Sequence, residues 1–87
     1  MEFEWDENKN RNNQKKHDIS FELASRIFWD DKVKTGRSDR GGEERYIAIG
    51  EVENCLITVA YTLRNDNIRI ISARKASKNE KRKYRAV

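Results

Sequence analysis

Proline is absent from this chain, and cysteine, methionine and histidine occur once each. The lone Cys55 rules out an intramolecular disulfide and suits a reducing compartment. It stands inside an apolar run, so the expected role of its thiol is packing within a strand, away from the electropositive exposure that activates a thiolate. One histidine and one cysteine cannot supply a zinc ligand set. The acidic residues come as adjacent pairs, Asp30 with Asp31 and Glu43 with Glu44, a pattern of surface and turn charge. No metal and no other cofactor is expected. Glycine is also scarce, and Gly41-Gly42 is a turn signal, not a phosphate-cradling loop. No apolar stretch approaches the ~18–20 residues that span a bilayer, and no secretory leader pattern opens the sequence. A cytoplasmic protein with no membrane partner is the expectation.

The 87 residues suffice for one domain, residues 1–87, with one modest core. Charged residues make up 39%, against about 25% in ordinary globular chains. Disorder is nevertheless not expected, because the apolar residues cluster in short periodic runs and aromatic anchors recur from Phe3 to Tyr84. The net charge of +4 conceals an asymmetry. Residues 1–60 hold 10 Lys/Arg against 13 Asp/Glu, whereas residues 61–87 hold 9 against 2. The positive field is therefore concentrated at the C-terminal end, where it would attract a polyanion, most commonly a phosphodiester backbone.

Punctuation along the chain predicts an α+β fold. "MEFEW" is a short edge strand, and Asp6 caps a strongly polar helix reaching about Lys16. Asp18 is placed to end that helix in the left-handed region, and Ser20 caps a second helix. There Phe21, Ala24, Ile27 and Phe28 form one apolar stripe. Asp30 and Asp31 end it. "KVKTGR" is a weak strand, "SDRGGEE" a turn, and "RYIAIG", "CLITVAYTLR" and "IRIISARK" are strong strands, the last two joined at "NDN". "SKNEKRKYRA" is a terminal helix capped by Ser77. Two N-terminal helices packed on one face of a small antiparallel sheet, followed by a C-terminal helix, is the expected architecture, with the other face left open.

Side chains alternate along a strand, which puts Arg69, Ile71 and Ala73 on one face of the last strand and Ile68, Ile70, Ser72 and Arg74 on the other. Arg64 lies across the turn, near the start of this strand. Guanidinium groups from the final strands can line a groove, bind phosphate bidentately and stabilise the charge that builds up on phosphorus in a transition state. The plainer alternative is solvated arginines in ordinary ion pairs. His17, in "KKHD", carries an imidazole that titrates near neutral pH, fit for proton transfer; it can equally serve as a helix C-terminal cap. RNA cleavage fits such an inventory. The substrate brings its own nucleophile in the 2′-hydroxyl, so the protein need supply only a proton acceptor, a donor and positive charge.

The blocks "FEWDENKNRNNQKKHDISFELA", "EERYIAIG" and "RNDNIRIISARKASKNEKRKY" resemble the BrnT family, toxins of bacterial type II toxin–antitoxin systems related to the RelE-like ribonuclease fold. The similarity runs from Phe3 to about Tyr84. It includes Trp5-Asp6, Asn13, Lys16-His17, Glu44-Arg45, Ile49-Gly50, Arg64 and the stretch Arg69 to Arg74. Two positions depart from the pattern: Lys75 stands where many relatives carry arginine, and Asp18 replaces the usual glycine.

The resemblance implies a RelE-like fold and a ribonuclease that inhibits translation. It also implies a cognate BrnA-type ribbon-helix-helix antitoxin that holds the toxin inactive in a hetero-oligomer. Arg64 and Arg74 match the arginines associated with toxicity. With His17 they form the expected catalytic set, the two arginines converging around one scissile linkage. Lys16, Arg69, Lys75 and Lys78 are the expected RNA contacts. Two further readings are a non-catalytic nucleic-acid-binding module and an inactive homologue that survives as a partner-binding scaffold.

Overall fold

The computed structural model describes residues 2–39 and 41–86. In chain order it contains β1 (Phe3–Glu4), α1 (Glu7–His17), α2 (Phe21–Ser25), a 3-10 turn (Arg26–Trp29), β2 (Lys34–Arg37), β3 (Tyr46–Val52), β4 (Cys55–Arg64), β5 (Asn67–Lys75) and α3 (Lys78–Arg85). The strands form one sheet in the order β1-β5-β4-β3-β2.

Four of the five strands pair antiparallel, but β1 runs parallel to β5, so the sheet is mixed where a purely antiparallel one was expected. β1 is only two residues long, and nothing in so short a segment encodes its direction; the return of the chain through the helices sets it.

The caps explain the helix boundaries. Asp6 Oδ1 accepts from the N–H groups of Asn8 and Lys9 at 2.8 and 3.2 Å, satisfying donors that the first helical turn leaves orphaned. Asp18 ends α1 at φ 58°, its N–H donating to the Gln14 carbonyl. Ser20 Oγ accepts from Leu23 N–H, and Ser77 with Glu80 forms a reciprocal capping box on α3. The expected second helix tightens into a 3-10 turn after Ser25, where the chain crosses closely over β3. A Cβ on Gly50 would lie 2.7 Å from Ile27 Cβ, so only glycine permits that approach. Two-residue loops with positive φ at both positions, Glu53-Asn54 and Asn65-Asp66, close the β3–β4 and β4–β5 hairpins.

The core lies between α1, α2 and the 3-10 turn on one side and a single sheet face on the other. Phe21, Ala24 and Ile27 bury completely against Ala48, Val59, Ile57 and Ile70. Phe28 packs edge-on to Tyr61, which stacks on Tyr46.

α1 has almost no apolar surface to offer and is held instead by two buried asparagines. Asn10 Oδ1 accepts from Phe21 N–H at 2.9 Å while its Nδ2 donates to Glu22. Asn13 Oδ1 accepts from Ala73 N–H, and its Nδ2 donates to the carbonyls of Ala73 and Ile19, both at 2.9 Å. The Asn13 carboxamide thus stands in for a neighbouring strand's peptide group along β5, beyond the reach of the short β1.

The second sheet face is not left wholly open. Ile47 and Ile49 alternate with the core residue Ala48 and so point away from α1 and α2. Glu80 and Lys83 of α3 line a cavity with both isoleucines, which places α3 over the far side of β3. Tyr84 fixes its C-terminal half by donating to Asp30 Oδ2 at 2.5 Å, and the same oxygen accepts from Glu51 N–H at 2.9 Å. That bond pushes the Tyr84 phenol up to about 12. Desolvation works to raise the Asp30 carboxyl, but the hydrogen bonds from Tyr84 and from the N–H groups of Lys32 and Glu51 outweigh it and hold Asp30 below its ordinary value.

Candidate active site

A register shift in the last hairpin decides which arginines share a surface. Ala60 pairs with Ser72 and Tyr61 with Ile70, leaving Ile71 unmatched as a β-bulge. The alternation inverts beyond it. Ile68, Ile70 and Ala73 all face the helices and are buried, while Arg69, Ser72 and Arg74 point to the opposite side. Uninterrupted alternation had divided Arg69 from Arg74; the bulge unites them.

On that side, Arg74 lies across from Thr58 and beside an open cavity of about 210 Å³ lined by Ser38, Arg45, Ile47, Thr58, Ser72 and Arg74. Thr58 is only 3% exposed. Its hydroxyl lies against the Glu80 carboxylate and helps to lower it, leaving Arg45 Nε as the wall atom without a partner among the described residues. Leaving such a group buried and unpaired costs about 1–3 kcal/mol.

Arg74 makes a bidentate pair with Glu80: Nη1 donates to Oε1 at 2.7 Å and Nη2 to Oε2 at 2.9 Å. The Arg74 hydrogen bond is the main reason that Glu80 drops to about 2, and the Ser77 N–H adds to it while partial burial opposes it. The Arg74 guanidinium is raised in return. Only the Nη1–Nη2 end of the fork is occupied. The Nε edge makes no hydrogen bond among the described residues and remains able to take a second anion. Glu80 also borders a neighbouring cavity of about 400 Å³, with Lys34, Arg37 and Lys83 along its walls and Ser38 and Ile47 shared with the first. Together the two cavities make one basic track across the sheet face.

The other expected residues fall in different places. Arg64 is exposed at the end of β4, six residues from Thr58. At ~3.3 Å per residue that puts it about 20 Å from the Arg74 level. The two arginines therefore do not converge on one phosphate; Arg64, Arg69 and Arg74 form a row along one face. Arg69 is drawn toward β1, its Nη1 lying 4.0 Å from Glu4 Oε2. Lys75 has the parity of Ala73 and sits on the opposite side from Arg74, pairing with Ile57 at the end of the sheet. Lys78 is exposed in the first turn of α3, and Lys16 and His17 are exposed at the end of α1. His17 makes no hydrogen bond or ion pair to Arg64 or Arg74 among the described residues, and its helix lies on the core side of the sheet.

Cys55 is exposed, contrary to expectation. The Glu53-Asn54 turn makes it the first residue of β4, where it pairs with Val52 at the uncovered end of the sheet. Lys75, Lys81 and Arg85 surround it there.

Thr58 and Glu80 were not singled out by the sequence, and Arg45 and Ser72 entered only within the matched stretches Glu44-Arg45 and Arg69 to Arg74. Their grouping arises from cross-strand register and from α3 folding back, neither of which leaves a local signal.

The fold and this face define a small basic α+β domain with an arginine-lined cleft on its sheet. More specifically, the chain belongs to the BrnT family: the model described as "Ribonuclease toxin, BrnT, of type II toxin-antitoxin system" matches residues 5–80. It is thus a type II toxin–antitoxin ribonuclease toxin, a class whose substrate is RNA and whose partner is an antitoxin. Among curated proteins, no relative matches the chain.

Proposed function

We propose that this protein is a metal-independent endoribonuclease that arrests growth by cutting RNA needed for translation in the cytoplasm, and that a BrnA-type ribbon-helix-helix antitoxin neutralises it. The observation that carries this reading is the cleft in which Arg74 and Arg45 meet, with Arg45 Nε buried and unpartnered among the described residues and the Nε edge of Arg74 free of hydrogen bonds there. Arg74 and Arg45 hold the scissile phosphate and stabilise the charge on phosphorus in the transition state. Ser72, exposed on the same face, donates to its non-bridging oxygens. Arg69 and Arg64, farther along the same face, grip flanking phosphates of a single strand, with Lys78 and the basic outer side of α3 extending the field. Lys16, Lys75 and His17 lie outside the cleft in this arrangement and act on distal parts of a longer RNA. The acid–base work falls to another group.

Incubating purified protein with RNA tests the reading. We expect 2′,3′-cyclic phosphate ends, cleavage that persists in excess chelator, and losses of at least 10²-fold for Arg74→Ala and Arg45→Ala, the scale of removing one donor to a developing charge. Cleavage abolished by chelator, or undiminished in both variants, would refute it.

A further inference from the structure

We infer that Glu80 is the general base of RNA cleavage, and that Arg74 couples it to the scissile phosphate by using its two edges at once. The inference rests on RNA being the substrate of the cleft.

Among the residues lining the two joined cavities, Glu80 is the one carboxylate. It is mounted rigidly: its Oε1 accepts from Ser77 N–H at 2.8 Å as part of the α3 capping box, and Arg74 clamps both oxygens. The groups facing it are Arg74 from β5, the Thr58 hydroxyl from β4, Lys34 and Arg37 from β2, and Lys83 from its own helix. A phosphate seated on the free Nε edge of Arg74 therefore lies beside the Glu80 carboxylate, held by the same planar group. The 2′-hydroxyl next to that phosphate is brought within reach of Oε1 or Oε2.

The step balances without a cofactor. Glu80 takes the 2′-hydroxyl proton as the 2′-oxygen forms its bond to phosphorus. The bond from phosphorus to the 5′-oxygen breaks, and the departing oxygen keeps the electron pair and takes a proton from solvent water. A 2′,3′-cyclic phosphate and a 5′-hydroxyl result.

In the free protein the ion pair keeps Glu80 ionised down to about pH 2, so the accepting form is present at neutral pH. A phosphate bound to Arg74 brings negative charge beside the carboxylate and raises its proton affinity, so basicity increases only with substrate in place.

Glu80→Gln is the informative variant, because glutamine preserves the capping box and can still accept from Arg74. Single-turnover cleavage of a short RNA and binding of its all-2′-deoxy counterpart should be measured together across pH, with Glu80→Asp alongside. We expect Glu80→Gln to cleave at least 10²-fold more slowly, with deoxy-strand affinity within about threefold of wild type and the acid limb of the rate profile lost. Glu80→Asp, which keeps a carboxylate, should retain more activity than Glu80→Gln. Glu80→Gln cleaving at the wild-type rate or faster would overturn the inference, since Glu80 would then only restrain Arg74. So would activity in the order Gln above Asp. Failure of the underlying reading looks different: the wild-type protein itself would yield no cyclic phosphate.

Discussion

Asn13 illustrates how much one side chain can decide. A polar helix has no hydrophobic reason to dock, yet α1 sits against β5 because this carboxamide bonds both the N–H and the carbonyl of Ala73 and reaches the Ile19 carbonyl as well. Asn13→Ala would strand three buried backbone groups. We expect a loss of about 2–4 kcal/mol, at the upper end of single-residue effects, read as a lower denaturation midpoint with an unchanged slope. The sequence shows an asparagine in a polar helix and nothing more. Its role is legible only once Ala73 is known to face an otherwise unpaired edge. Asp6, Asp18, Ser20 and Ser77, by contrast, were readable, because capping depends on residues within four positions of one another.

At the scale of elements, α3 is the piece whose placement matters most. It is docked by two polar contacts, Arg74 with Glu80 and Tyr84 with Asp30, and these respond to pH in opposite directions. The Glu80 carboxyl is depressed on folding, so the stabilisation it provides is complete above its unfolded value of 4.5 and disappears as pH falls toward about 2. The Tyr84 phenol is raised on folding, so its contribution is complete below 10.0 and disappears as pH climbs toward about 12. We expect α3 to loosen in both windows, followed by hydrogen exchange of its amides or by tyrosine fluorescence. Tyr84→Phe should remove the alkaline transition and leave the part of the acid one that comes from Glu80; an alkaline transition persisting in that variant would locate its cause elsewhere.

For the whole molecule, the arrangement of charge outweighs its total. Arg64, Arg69 and Arg74 are spread along one sheet face, so under the proposed function they would meet separate phosphates of a strand and contribute to affinity one by one. The logarithm of RNA affinity should fall linearly with the logarithm of salt concentration. Arg64→Ala and Arg69→Ala should each shallow that slope by about 0.7, the single-strand value per phosphate contact. Binding that is strong but insensitive to salt would argue against a phosphate track on this face.

Local chemistry in the sequence determined the caps, the last hairpin, the apolar stripe of the second helix, the basic C-terminal end and the resemblance to BrnT toxins. Each depends on neighbours within a turn or two, or on the linear order of motifs. Only the tertiary structure decided that a bulge at Ile71 turns Arg74 to the same face as Arg69, that Arg64 stands far from both Arg74 and the cleft, that Cys55 is exposed, and that α3 brings Glu80 to Arg74. Those outcomes depend on cross-strand register and on packing between segments distant in sequence. A one-residue slip there exchanges the faces of every side chain that follows, and nothing in the local pattern of residues records it.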